Sequence, residues 1–414
     1  GQAMTIEQKK KQVLFSGGVV ANLKQEPRAP RADGADPAMR GTGSGGQPGA
    51  PVDITSRQLL IDDAVKRAVF SGNVVAKQID SIMETAELEV HYEGQPAAQG
   101  GPPATDAAAT GAGGQGKLSK LVARSDVVLT RGQERATGSA GEFDALTDRA
   151  TLLGPVAISA GPDRGATSDR ADIDNKSDTI LLTGNVVVTQ QKNVLKGRRL
   201  QVDRKKGTMQ MASPALPGLP KGRIGAHLVQ AENQAAAAKK AAPAPVAKTA
   251  SQGPLAAGSL RGDPGQPVDI DADTLDVDDK AKTAVFRGRV IARQGDYTIS
   301  TEELVATYSG ESGLALGAAP AAGQGANQPG PAKAAAQLQK VTAPRVVDIV
   351  AKDGQRARGN SAVFDTKANI ATLTGDVSLM QGSSITRGPC ARLDMNSGSM
   401  RILDACGFAA TAAA

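Results

Sequence analysis

The side chains that could do chemistry are few, and their spacing decides little in favour of catalysis. Six acids, Asp269, Asp271, Asp273, Asp276, Asp278 and Asp279, form the densest cluster of hard-cation ligands. A calcium loop of that type needs a sharp glycine and a closing bidentate carboxylate at the twelfth position. Counting from Asp269 or Asp271, the closing position holds Lys280 or Lys282. Acids alternating along strands, facing water and guarding the strand edge, account for the pattern. His91 and His227 are the two imidazoles, and neither has a partner that spacing would predict for general base or metal work. Gly111, Gly113 and Gly116 match a dinucleotide fingerprint in spacing, but no strand precedes them and no helix follows. No nucleophile elbow and no Ser–His–Asp order is visible. These residues nominate no catalytic group, no metal site and no cofactor, and an enzyme is not expected.

Composition narrows the class further. The 414 residues include 48 Gly, 23 Pro, six Phe, three Tyr and no Trp, which suits thin β-layers filled by Val, Ile, Leu and Ala. The 48 basic and 42 acidic residues leave +6, scattered in short clusters without interleaved aromatics, unlike a nucleic-acid binder. No apolar run is long enough for a membrane-spanning helix. The opening Gly1–Gln12 is polar and lysine-rich and reads as no secretory signal. Cys390 and Cys406 form either one late bridge or two idle thiols; two sulfurs define no framework.

Internal repetition organises the chain. Pro51–Tyr92 aligns without a gap on Pro267–Tyr308, with 20 of 42 positions identical, far above chance. Ala136–Ile158 aligns on Ala357–Leu379, and Lys196–Met209 parallels Arg387–Met400. The chain is a tandem duplication. A shorter unit recurs inside and before it: Phe15-Ser-Gly17-Gly-Val19, Phe70-Ser-Gly72-Asn-Val74, Leu152-Leu-Gly154-Pro-Val156, Leu182-Thr-Gly184-Asn-Val186, Phe286-Arg-Gly288-Arg-Val290 and Leu373-Thr-Gly375-Asp-Val377. Apolar residues at every second position predict strands with one dry face. The central glycine marks a bend, a bulge or a close backbone approach. Turn signals such as Asp278-Asp279-Lys280 and Lys206-Gly207 separate the runs, so the fold class is all-β, built of many antiparallel strands.

The expected organisation is a partial β-unit or edge strand at 1–25, a disordered linker at 26–50, a first module at 51–213 with an insertion at 94–116, a disordered linker at 214–265, a second module at 266–404 with an insertion at 310–336, and a tail at 405–414. The Ala-, Gly-, Pro- and Gln-rich stretches lack periodicity and bury too little apolar surface to offset ordering entropy. The inward stripe itself has two readings: a plain packed core, or two layers that hold an apolar ligand.

PVDITSRQLLIDD, AVFSGNVVAKQ and TAELEVHY of the first module, their copy at Pro267–Tyr308, and the closing LLTGNVVVTQ and NVLKGRRLQVD (Leu181–Asp203) resemble the LptA/OstA-like lipopolysaccharide transport proteins. The resemblance implies two tandem twisted, open β-jellyrolls of stacked antiparallel strands, each enclosing a hydrophobic groove for the acyl chains of lipopolysaccharide. It implies a periplasmic bridge between inner-membrane and outer-membrane transport components of related fold, and end-to-end association through edge strands. By matching position, the groove-lining candidates are Val52, Ile54, Leu59, Ile61, Phe70, Val74, Phe143, Val156 and Ile158, then Val268, Ile270, Leu275, Val277, Phe286, Val290, Phe364, Val377 and Leu379. The terminal pairs Leu200/Val202 and Ala391/Leu393 complete the walls. Lipopolysaccharide is the expected partner and no nucleic acid is expected. The alternative reading is a structural β-repeat, solenoid- or adhesin-like, with a filled core and no ligand; the soluble N-terminal part of an outer-membrane assembly protein of the same superfamily is a third.

Overall fold

The computed structural model describes residues 2–23, 52–79, 81–93, 117–229, 266–309, 337–394 and 399–406. The expected linker at 26–50, the insertions at 94–116 and 310–336, and the tail from 407 onward lie outside them. The described residues contain twenty-four strands and one 3-10 turn at Gln8–Lys10. No helix among them is long and apolar enough to cross a membrane. The fold is all-β.

The described chain divides into two compact units, 1–188 with 199–205, and 189–198 with 206–309 and 337–406. The first holds β1 (Ala3–Glu7), β2 (Gln12–Leu23), β3 (Val52–Asp62), β4 (Arg67–Gln78), β5 (Ser81–Glu93), β6 (Lys117–Arg131), β7 (Glu134–Asp144), β8 (Arg149–Ala160), β9 (Arg164–Asp174) and nearly all of β10 (Thr179–Gln190). β11 (Asn193–Asp203) is divided between the units. The second holds β12 (Thr208–Ala212), β13 (Ile224–Leu228), β14 (Val268–Ala272), β15 (Thr274–Asp278), β16 (Thr283–Gln294) and β17 (Tyr297–Ser309). It continues with β18 (Gln337–Ala343), β19 (Val347–Ala351), β20 (Arg356–Gly359), β21 (Ser361–Asp365), β22 (Ile370–Gln381), β23 (Ser384–Asp394) and β24 (Ser399–Leu403).

In the first unit each strand pairs antiparallel with the next, from β1 to β9. At one end of the stack the hairpins share a turn closed by an aspartate. Asp144 accepts from the Leu146 and Thr147 amides at 2.9 and 2.8 Å, and Asp174 from those of Lys176 and Ser177. The Thr147 and Ser177 amides hold these two carboxyls below the ordinary aspartate range. Asp148 and Asp178, four residues on, take the left-handed backbone that reverses the chain.

Near mid-length most long strands cross a β-bulge. The register slips between Ser71 and Val74, Arg124 and Val127, Leu153 and Val156, Arg287 and Val290, and Thr374 and Val377. Bulges bend strands and let them pass from one sheet to another. The second unit shows the result directly, because its strands break at the same place: β15 pairs with the first half of β16, and β14 with the second half. Each half-strand therefore belongs to one of two walls, which is the β-jellyroll arrangement.

The glycines of the recurring unit sit at this corner. Gly184 has φ +73°, and a Cβ on it would lie 2.2 Å from Asp169 Oδ2. Both the backbone angle and the close approach exclude any other residue without strain.

One boundary differs from the sequence-based expectation. Residues 224–228, inside the stretch expected to be disordered linker, form β13, which pairs with β11 and β14. β12 meanwhile pairs with β15, so the end of the first repeat and the start of the second are joined by strand ladders. Ile224-Gly-Ala226-His-Leu228 has the same alternation as other strands, but its single short run was masked by the prolines before it and the alanines after it.

Candidate functional site

The inward side chains form continuous rows across the strands. One row in the first unit runs Phe15, Leu59, Phe70, Leu88, Ala123, Gly141, Leu152, Ala171. A second on the same wall runs Val13, Ile61, Ala68, Val90, Leu121, Phe143, Ala150, Ile173. The other wall carries Ala21, Ile54, Ala76, Met83, Leu129, Ala136, Ile158, Ala166. The second unit repeats the design, with Met209, Val277, Ala284, Ala306, Val341, Phe364, Ala371, Leu393, Met400 on one wall. The opposite wall has Ala226, Ile270, Ala292, Ile299, Ile349, Ala357, Leu379, Thr386.

Large residues repeatedly stand beside Ala or Gly in these rows, so the lining is uneven. At the corner, Val74, Val127, Val156, Val290 and Val377 are each 1 % exposed. The hydroxyls buried there are satisfied by backbone freed at the bulge: Ser56, Ser168 and Thr301 donate to the carbonyls of Gln58, Arg170 and Glu303. Thr85 reaches the carbonyls of Arg124 and Ser125 at 2.9 and 3.0 Å. No orphaned donor is left in a dry place by these hydroxyls.

The candidate lining residues lie in or beside these rows, except Leu200 and Val202, which stand on β11 beyond the last strand of the first-unit rows. Ile54, Leu59, Phe70, Val74, Val156, Leu200, Val202, Ile270, Leu275, Val277, Phe286, Val290, Val377, Leu379, Ala391 and Leu393 are buried; Val52, Ile61, Phe143, Ile158, Val268 and Phe364 are half-buried. The two walls meet at one end of the second unit. There Ile349, Ala357, Leu379 and Thr386 of one wall and Met400 of the other line a shared cavity of about 30 Å³, room for a water or two.

Sequence reasoning missed the corner in β6. Ala123-Arg-Ser-Asp-Val127-Val-Leu129 has the right alternation, but Ser125 and Asp126 hold the left-handed positions at φ 66° and 52° without a glycine. It also missed Leu88 and Val90 of β5, which a parity count from Leu88 would have found.

Most of the polar candidates resolve into ion pairs, while Asp278 accepts the Lys280 and Ala281 amides in a turn. Asp269 meets His227 Nδ1 at 2.7 Å and Asp271 meets Arg293 at 2.7 Å. Asp273 is shared by Lys221 and Arg289 at 3.1 and 3.0 Å, and Asp276 pairs with Arg287 at 2.5 Å. The hydrogen bond from Lys221, joined by that from Arg289, holds the Asp273 carboxyl below the ordinary range. Both imidazoles have carboxylate neighbours that spacing did not predict: His91 Nε2 lies 3.0 Å from Glu89 Oε1. Glu89 also takes Arg67 and Arg124 at 3.3 and 3.1 Å. Burial pushes the Glu89 carboxyl up, but the bonds from Arg124 and Arg67 outweigh it and hold the group below the usual glutamate range. Among the described residues no group of three His, Cys, Asp or Glu is placed to hold a metal ion. Cys390 and Cys406 form a disulfide with a Cα separation of 5.4 Å, which ties the residues after β24 to β23.

Residues 53–166, 165–242 and 269–399 match the family described as LptA/(LptD N-terminal domain) LPS transport protein, most of the chain. The chain belongs to this family. It is a family of lipopolysaccharide transport proteins, not an enzyme class, and the LptA/OstA-like resemblance of the repeats agrees with it. Among solved structures, LptH, the LptA homologous periplasmic component of the lipopolysaccharide transport device of Pseudomonas aeruginosa, is similar at 19 % identity. The match covers 38 % of this chain and 93 % of LptH, with a TM-score of 0.26. No protein of curated function matches the chain by sequence. For this LptA-family chain, the apolar rows between the walls are the candidate site.

Proposed function

We propose that the chain carries lipopolysaccharide in the periplasm by shielding its acyl chains between the two β-walls, as a non-enzymatic bridge between inner- and outer-membrane components. Family membership together with the unbroken inward rows supports this reading. Each methylene withdrawn from water is worth about 0.8 kcal/mol, so a chain of about a dozen carbons stakes roughly 10 kcal/mol. A trough lined along its length by apolar side chains lets such tails slide with little change in exposure. The headgroup stays outside, where the lysines and arginines of the outer faces steer it weakly.

The deep burial of Phe70, Ile54 and Leu88 sets a condition: the walls part to admit a tail. Parting is easiest beside Met400, where a cavity of about 30 Å³ already lies next to Ile349 and Leu379. The outer edges, left without a strand partner among the described residues, supply the end-to-end contacts of a bridge, with Met4 and Ile6 of β1 at 57 and 54 % exposure and Ile385 of β23 at 53 %. The disulfide suits an oxidising compartment.

A structural β-repeat with a filled core is the second reading, favoured by the depth to which Phe70, Ile54 and Leu88 are buried. Diazirine side chains placed at Ile158 and at Met400, with the exposed outward neighbour Ala157 as control, separate the two in living cells. Crosslinks to lipopolysaccharide from the inward positions alone support carriage. Crosslinks only to protein, or equal capture from Ala157, overturn it.

A further inference from the structure

In every other strand the chain passes the corner directly or after a break of at most three residues; between β12 and β13 it makes an eleven-residue excursion, 213–223. The excursion is built. Ser213 Oγ donates to the Arg223 carbonyl at 3.0 Å, and the Gly222 amide to the Ser213 carbonyl at 2.9 Å. Arg198 donates to the carbonyls of both Pro214 and Pro220, clamping the two legs together. At the tip, Leu216 and Leu219 exchange both backbone hydrogen bonds at 3.0 and 2.8 Å around Pro217-Gly218, with Gly218 at φ +79°. That is a tight Pro-Gly turn.

This braced tip leaves Leu216 39 % and Leu219 52 % exposed, while its base is cationic. Arg198 holds the loop through the proline carbonyls, Arg223 donates to the Arg289 carbonyl, Lys221 and Arg289 share Asp273, and Glu302 takes the Arg289 amide, so four cations stand there against two carboxylates. The sequence amplifies the bias. From Lys192 to Gln230 the sequence holds nine Lys or Arg and a single acid, Asp203, although Arg204 is spent on Asp178 in the turn before β12.

We propose that the 213–223 loop is a docking tip for an anionic bilayer surface, its two leucines entering the headgroup boundary while the cations at its base meet lipid phosphates. The chemistry is that of interfacial attachment, in which apolar burial and electrostatic attraction add. A turn already fixed by its own hydrogen bonds loses little entropy on docking. Residues 215–221 are all exposed, so docking asks nothing of the core rows.

The test uses the full chain and vesicles free of lipopolysaccharide, so its failure is distinct from failure of the carriage reading. The parent protein is expected to sediment with vesicles of mixed phosphatidylcholine and phosphatidylglycerol, less so at high salt, and not with phosphatidylcholine alone. Leu216→Asp with Leu219→Asp is expected to lower the partition coefficient about tenfold or more, with the far-UV spectrum unchanged. The chain contains no tryptophan, so Leu219→Trp provides a single reporter whose emission shifts to the blue on anionic vesicles. Val65→Trp, exposed in a turn of the first unit, serves as the unshifted control. Equal sedimentation of parent and double variant, or no blue shift from position 219, overturns the proposal and leaves a protein partner as the occupant of the tip.

Discussion

Replacing Gly184 by alanine puts a methyl group where the corner has no space for one. The residue sits at φ +73°, a conformation that costs an L-residue about 1–2 kcal/mol. Its new Cβ would lie 2.2 Å from Asp169 Oδ2 and 2.8 Å from the Asp169 Cβ and Cγ. The aspartate must swing away and give up the bonds that Asn185 Nδ2 donates at 3.0 and 3.3 Å, a further loss of about 1 kcal/mol for a partly exposed pair. Because Asp169 Cβ is itself too near, the β9 backbone must shift as well, so the expected total is about 2–4 kcal/mol. Gly132 supplies the control: its φ is +56° and nothing lies within 4 Å of the added methyl, so Gly132→Ala should cost only the backbone term of about 1–2 kcal/mol. Urea unfolding followed by far-UV circular dichroism gives the two losses. Amide exchange in β9 and β10 shows whether the extra loss is local, as expected where strands touch only their neighbours. Equal losses for the two variants would refute the claim that close approach at the corner holds the walls at their angle.

Phe70 and Phe286 occupy the same place in the two repeats and are each 2 % exposed, so alanine at either should cost about 3–5 kcal/mol and by similar amounts in urea unfolding. Reducing the disulfide, or replacing both Cys390 and Cys406 by alanine, should cost about 3 kcal/mol from the loop of 16 residues it closes, read as early exchange of the β23–β24 amides. Glu89 is held below its ordinary pKa, so its share of stability is whole above the unfolded glutamate value and is lost as pH falls through the lower folded one. Glu89→Gln should accordingly flatten the acid limb of a stability-versus-pH profile; an unchanged limb would remove the Arg67–Glu89–Arg124 cluster from the account.

The duplication, the strand period and most inward-facing positions were legible because a dry face imposes an apolar residue at every second place, and the corner imposes glycine before valine. Leu59, Phe70 and Ile158 are found that way, each from its own strand. Where another residue meets the backbone demand, the signal fails: Ser125 and Asp126 hide the corner of β6, and prolines hide β13.

What the sequence by itself determined is parity, because side-chain direction follows from local backbone geometry alone. Partnership belonged to the tertiary structure. Which strand lies beside which brings Glu89 to Arg124, Asp269 to His227 and Cys390 to Cys406, and sets Met400 across from Leu379. Those distances depend on hairpin registers and on the bend at each bulge, summed over many residues, and no short-range pattern encodes that sum.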